Sequence, residues 1–300
     1  MSQRLTGAAL VTVAAVAFSA KAVIIKLAYR HGVDPVTLLT LRMLLSAPFF
    51  MMLGAWAAHG KGVVPLTGAD WRAVAGLGLI GYYLASLFDF IGLQYITAAL
   101  ERLVLFLYPT FVLLLAAAFF GRRVTRRDLV ALALSYGGIV LVFANDLSFQ
   151  GASVALGAFW VLLSGLFYAA YLLGSGRLVG RLGSLRVACY ASLVSCVAVV
   201  AHFLAFNDAA LLWRWPAEVY WLALTMALVS TVIPIILMSE GINRIGSSHA
   251  AMIGAVGPVA TIFFGYWFLD EAITVVQLAG AALVMAGVLA ISLQKARSTD

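Results

Sequence analysis

Six ionisable side chains interrupt otherwise apolar runs of this chain: Lys21, Lys26, Arg42, Asp89, Glu101 and Arg102. A charge at the centre of a bilayer costs about 3 kcal/mol or more, so such a residue pairs with another charge or meets a solute, and each is a functional hypothesis by default. The chemistry on offer is ion pairing and charge recognition. Lys21 and Arg42 lie deepest, about 9 Å or more from the nearer helix end at 1.5 Å per residue, and Asp89 and Glu101 are their expected counter-ions. Two roles fit these four: a network that meets the substrate, or ion pairs that hold helices in place, because buried pairs often fix geometry more than they stabilise. Lys26 and Arg102 fall within about 6 Å of a helix end, where a long side chain snorkels to water.

Catalysis lacks its usual constellations. There is no His-Glu-x-x-His, no Gly-x-Ser-x-Gly elbow and no glycine-rich phosphate loop ending in Lys-Ser or Lys-Thr. His31, His59, His202 and His249 are dispersed over loops and separate helices. Neither an enzyme nor a cofactor or metal is expected, and any transport is driven by a solute gradient or by protons. Glu240 with His249 reads either as a proton-sensitive gate or as an ordinary helix-end hydrogen bond. Cys189 and Cys196 sit seven residues apart on one helix, about 10 Å, which is beyond disulfide reach.

A second group of residues recurs on single helix faces. Tyr82, Ser86 and Asp89 follow an i, i+4, i+7 spacing, Trp160, Ser164, Tyr168 and Tyr171 follow a similar one, and Glu101 and Tyr108 lie seven apart. Ser19, Tyr82, Tyr108, Ser164 and Thr231 all fall near helix midpoints, the depth at which transporters bind solute. Each has a plainer reading, since membrane Ser and Thr bond their own backbone and Tyr packs against neighbours. Together they suit a cavity for a small amphipathic or aromatic solute.

The elements that must position these groups are long and apolar. Hydrophobic residues make up 64% of the 300 and charged residues 10%, and mean hydropathy is +1.06, far from the balance of a soluble domain. Apolar runs of spanning length, about 20 residues, fall near residues 7–29, 35–57, 72–93, 97–120, 127–145, 153–174, 184–206, 217–239, 247–269 and 273–293. Ala17-Phe18-Ser19 loosely resembles a signal-peptide cleavage site, but the apolar run resumes after Lys21, so the first helix is assigned to the fold.

The segment from Gly92 to Val142 repeats, without a gap and at an offset of 149, as Gly241 to Ile291: Gly92 matches Gly241, Ile96 Ile245, Pro109 Pro258, Thr125 Thr274 and Gly138 Gly287. Residues 1–146 and 151–300 therefore read as two five-helix repeats. Lys and Arg gather on one side, including Arg4, Lys61, Arg72, Arg122, Arg123, Arg126, Arg127, Arg177, Arg181, Arg186, Arg244, Lys295 and Arg297, which places both termini in the cytoplasm. Because five is odd, the repeats enter the membrane in opposite senses. The predicted fold is an all-α integral membrane protein of ten transmembrane helices. Its net charge of +7 belongs to cytoplasmic loops facing anionic lipid, so no nucleic-acid partner is expected. Pro109 and Pro258, as repeat equivalents, are either paired hinges or static kinks.

Two five-helix repeats, Leu41-Arg42-Met43 in the second helix, a proline in the fourth and ninth, and the Leu269-Asp270-Glu271-Ala272-Ile273-Thr274 hairpin together resemble the EamA-type drug/metabolite transporter superfamily. The resemblance implies a central cavity between inverted repeats, flanked by the first, third, fourth, sixth, eighth and ninth helices. Arg122 departs from it, standing where the first-repeat hairpin usually carries Glu. Within the superfamily the chain is most similar to bacterial amino-acid exporters, particularly for aromatic amino acids. That similarity implies alternating-access export across the bacterial inner membrane by a monomer or weak homodimer. Other metabolite or drug classes, or a passive channel or scaffold, are the competing readings.

Overall fold

The computed structural model describes residues 3–59, 63–121, 124–150 and 153–297. Lys61, Arg122 and Arg123 lie outside the described residues, as do the side chains of Lys295 and Arg297. The described chain is helical throughout, with no strand. Among the described residues nine stretches are long and apolar enough to cross a membrane: α1 Gln3–Tyr29, α2 Pro35–Ala58, α3 Gly68–Gly92, α4 Ala98–Phe120, α5 Arg126–Leu147, α6 Ser153–Leu182, α7 Ser184–Phe206, α8 Ala217–Gly246 and α9 Met252–Leu269. A last helix, α10 Val275–Arg297, has a shorter apolar part, Val275–Ala290.

Local chemistry sets the ends. Asp34 caps α2 by accepting from the Val36 and Thr37 N–H groups at 3.0 and 2.9 Å, and Pro35, whose missing N–H costs nothing there, opens the helix. Thr67 and Asp70 form a reciprocal capping box on α3. Left-handed residues stop α4 and α9 at equivalent positions, Gly121 at φ 65° and Asp270 at φ 60°. Two helices run past the expected boundary. The α6 helix continues to Leu182, where Arg181 pairs with Asp70, and α8 continues through the Glu240–Arg244 pair until Gly246 turns to φ 79°.

Several helices are irregular at matching places. A wide π-type turn covers Leu79–Leu84 in α3 and another covers Leu228–Val232 in α8. The fourth helix breaks at Phe106 and Leu107 just before Pro109, and α9 is interrupted at Ala255 just before Pro258.

Glycines let backbones meet. A Cβ on Gly92 would stand 2.5 Å from Val161 Cγ2 and 2.9 Å from the Gly157 carbonyl oxygen; one on Gly241 would stand 2.4 Å from Val11 Cγ2 and 3.2 Å from the Gly7 carbonyl oxygen. Thus α3 touches α6 as α8 touches α1, with equivalent residues on both sides. The α5–α10 contact repeats the theme, Gly138 lying on Gly280 and Gly287 on Ala131. Bilayers offer no hydrophobic drive between helices, so such close approach supplies the cohesion. Apolar clusters fill the interior, one around Ile25, Leu38, Leu39 and Phe90, another around Leu100, Leu103 and Leu107.

Candidate functional site

Lys21 is the centre of the charged cluster. Its Nζ donates to Asp89 Oδ2 at 2.6 Å and lies 3.2 Å from Glu101 Oε1, so α1, α3 and α4 are tied by one ammonium. Asp89 and Glu101 are buried, and Asp89 Oδ1 and Glu101 Oε2 have no hydrogen-bond partner. One cation thus serves two carboxylates, both counter-ions expected from the sequence. The sequence expectation also paired Arg42 with these acids, and there the arrangement differs. Arg42 is buried, its Nε donates to Thr231 Oγ1 at 3.1 Å, and its guanidinium lies 5.6 Å from the Phe90 ring centre. Lys21, entering from the neighbouring helix, has already taken both carboxylates.

The tyrosines converge. Tyr82 and Tyr171 meet edge to face at 5.1 Å, Tyr171 and Tyr168 stack at 6.0 Å, and Tyr168 meets Tyr108 edge to face at 5.3 Å. This chain of rings joins α3, α6 and α4. Its geometry is favourable for aromatic packing; Tyr171 is buried, and Tyr82, Tyr108 and Tyr168 are half-buried. Ser86 is half-buried on the same helix as Tyr82.

Hydroxyls placed by the sequence at the same depth are used between helices. Ser19 Oγ lies 2.7 Å from the Ala15 carbonyl oxygen and 3.0 Å from that of Gly257. Ser164 donates to the Ala85 carbonyl at 2.7 Å. Thr231 donates to the Met226 carbonyl at 3.0 Å, inside the wide turn of α8, and accepts from Arg42. The Glu240–His249 pairing is replaced by an i, i+4 bond from Arg244 Nε to Glu240 Oε1 at 2.7 Å, and His249 is exposed. An arginine one turn away outcompetes a histidine beyond the break at Gly246.

The snorkelling expectation divides. Lys26 stays at the end of α1, where its Nζ donates to the Ile96 carbonyl at 2.6 Å and lies 3.8 Å from Glu271 Oε1. Arg102 instead turns inward, with its Nε buried.

Sequence reasoning gave Glu271 no site role. Its Oε1 accepts from the Ala98 N–H at 3.0 Å and so caps α4, where a carboxylate also gains from the helix dipole. Burial pushes its carboxyl above the ordinary range, opposed by the Ala98 N–H and by Lys26. Thr97 Oγ1 donates to Asp146 Oδ2 at 2.8 Å, and Arg30 Nη2 donates to the Leu269 carbonyl at 2.9 Å. Around these ties opens a cavity of about 440 Å³ lined by Lys26, Tyr29, Arg30, Gln94, Thr97 and Glu271. At the opposite end Asp70 pairs with Arg181 and Arg186 Nη1 donates to the Val64 carbonyl at 2.6 Å. The signal for Glu271 was its place in the hairpin after α9, beside the left-handed Asp270.

The EamA-like transporter family matches this chain twice, over residues 5–144 and 155–293. The chain belongs to that family. The uncharacterized transporter YcbK of Bacillus subtilis strain 168 is 34% identical over 279 residues, covering 91% of this chain and 88% of the relative. An uncharacterized transporter of Archaeoglobus fulgidus is 26% identical over 218 residues, covering 73% and 75%. A solved structure of 20% identity superposes with a TM-score of 0.65 over 98% of this chain and 99% of that one, a likeness of fold. The protein is accordingly a multi-pass membrane transporter of the EamA-like family.

Proposed function

We propose that this EamA-like transporter exports small amino acids with aromatic or amphipathic side chains across the bacterial inner membrane by alternating access. In this reading ten membrane helices form two inverted repeats, 1–146 and 151–300, with both termini in the cytoplasm. The observation that carries it is the pair of matched seams, Gly92 on Gly157 and Val161, and Gly241 on Gly7 and Val11. Each first helix of a repeat packs into the other half, which is the exchange that inverted repeats need to rock about a fixed midplane site.

Further support comes from the end-to-end ties. Lys26, Arg30, Thr97, Asp146 and Glu271 meet at the end assigned to the outside, and Asp70 and Arg181 meet at the end assigned to the cytoplasm. The site residues are Tyr82, Ser86, Tyr108 and Tyr168 for the solute's body, with Ser19, Ser164 and Thr231 at the same depth. Lys21, Arg42, Asp89 and Glu101 form the network that changes partners as the cavity opens. Pro109 and Pro258, each at the start of the second part of a broken helix, serve as hinges. Glu240, bound to Arg244, and His249 lie on either side of the Gly246 bend at the cytoplasmic end of α8, and a gate there works through the bend and not through a bond between the two.

Counterflow in proteoliposomes, with labelled amino acids, purines, sugars and quaternary amines and with or without a pH gradient, tests the reading. Saturable exchange of amino acids is expected. Saturable exchange of another class alone replaces the substrate, and non-saturable leak of all of them replaces the mechanism with a passive pore.

A further inference from the structure

Arg102 is half-buried, and it is the cation of the cluster that the described residues leave without a hydrogen-bond partner. Its Nε is buried with no hydrogen bond, and among the described residues no carboxylate forms an ion pair with it. Glu101, its neighbour in sequence, points about 100° away around the helix and is bound to Lys21. Arg42, the buried guanidinium of the same cluster, has Thr231 and the Phe90 ring. A buried Nε–H without an acceptor forfeits a hydrogen bond that the guanidinium would make in water.

The niche around it is shaped. The side chain reaches from α4 to α9, where a Cβ on Gly257 would come within 2.8 Å of Nη2 and 3.3 Å of Nε, and within 3.3 Å of Ser19 Oγ. A methyl group there would push the guanidinium away from its place beside the serine hydroxyl. Tyr108 and Tyr168 lie within electrostatic range of the same cation and pack edge to face with each other. Lys21, Arg42 and Arg102 stand against Asp89 and Glu101, so the cluster is one negative charge short.

We propose that Arg102 anchors the carboxylate of the transported solute at its guanidinium, beside Ser19 and Gly257, with Tyr108 and Tyr168 as the wall for the solute's apolar body. This rests on the transporter reading above and narrows its substrate to small monocarboxylates. A guanidinium presents a planar fork that matches a carboxylate with two parallel hydrogen bonds, which an ammonium cannot do. The anion supplies the missing charge and the hydrogen bonds that Arg102 lacks.

The test is ligand-induced thermal stabilisation of the purified full-length protein in lipid nanodiscs, with phenylalanine, 3-phenylpropionate, leucine and phenethylamine as probes. At least one of the three carboxylates is expected to raise the melting temperature, and phenethylamine is not. Arg102→Gln is expected to weaken carboxylate binding about tenfold or more, the worth of a charge-assisted hydrogen bond. Arg102→Lys restores charge without the fork and recovers part of the affinity. Gly257→Ala crowds the guanidinium and weakens binding with Arg102 intact, which keeps the test decisive if Arg102→Gln does not fold. The proposal is overturned if no carboxylate stabilises the protein, if phenethylamine binds as well as the acids, or if Arg102→Gln binds them unchanged. Counterflow separates the two levels. Exchange of a solute without a carboxylate, unchanged by Arg102→Gln, removes the anchor and keeps the transporter, whereas Arg102-dependent binding without counterflow keeps the anchor and removes alternating access.

Discussion

Lys21 and Tyr171 stand at corresponding places in the two halves. Lys21 follows Gly7 and Val11 on α1 by the same intervals at which Tyr171 follows Gly157 and Val161 on α6, and those glycines and valines make the matched seams. Around Lys21 the first half supplies Asp89 and Glu101; the residues that match these acids in the second half are Met238 and Ala250. Around Tyr171 there are rings instead, from Tyr82 and Tyr168. One scaffold has thus been fitted with an ionic junction on one side and an aromatic one on the other. A duplicated backbone fixes where junctions occur, while side chains decide how strongly each resists separation.

The largest expected effect breaks the ionic side. Lys21→Ala leaves Asp89 and Glu101 buried without their cation, a loss of about 3–5 kcal/mol, and abolishes flux. Tyr171→Phe removes a hydroxyl contact of 3.5 Å and costs under about 1 kcal/mol. Melting in nanodiscs and counterflow measure both, and equal losses would break the comparison. Combining Lys21→Ala with Glu101→Gln should recover folded protein but not flux, which separates stability from transport.

Next come the seams. Gly92→Ala and Gly241→Ala drive a methyl to 2.5 Å from Val161 and 2.4 Å from Val11, each costing about 1–3 kcal/mol by overpacking. Near-equal drops in melting temperature are expected. A drop at one glycine and none at the other would show that the halves bear load unequally.

A smaller effect sharpens the comparison at the end where Glu271 lies. Because burial raises the Glu271 carboxyl, the folded protein takes up this proton at a higher pH than the unfolded chain does. The ionised carboxylate is therefore the costly form, and stability rises as pH falls from the raised value toward the ordinary one. Lys26 and Asp146 are the charged groups that act on it, and Arg30 lines the same cavity. The melting temperature of the native protein, measured relative to Glu271→Gln, should climb across that window, and a fall would contradict the sign. Smallest of all is Tyr82→Phe, expected within about 0.5 kcal/mol of the native protein, with altered solute affinity if the hydroxyl faces the cavity.

Much of the fold was legible because apolar length and repeated spacing are one-dimensional signals. The run that starts at Pro35 and those that stop at Gly121 and Asp270 needed no tertiary information. The pairing of Lys21 with Asp89 and Glu101 was legible too, since few charges exist in the apolar runs and those few must find one another. The partners of Arg42 were not, because depth along a helix says nothing of direction around its neighbour. Arg102 shows the same limit: its distance from the helix end suggested water, but the space opened by Gly257 on a helix far away in sequence draws it inward. Ser19 and Ser164 sit at the expected depth, yet their bonds go to the carbonyls of Gly257 and Ala85, contacts that only the packed bundle creates.

The wide turns at Leu79–Leu84 and Leu228–Val232 each store one residue more than an α-helix of the same rise requires. Such slack can travel. Passing the extra residue one position along α3 swings the side chain it crosses by about 100° while nearly every backbone bond is kept, so Tyr82 can leave one wall and face another without the helix unfolding. Thr231, inside the matching turn of α8, holds Arg42, and the same slippage there would let go of a buried guanidinium. Each helix is in that respect a screw with a spare thread, able to trade rotation for translation at the depth of Tyr82 and Thr231.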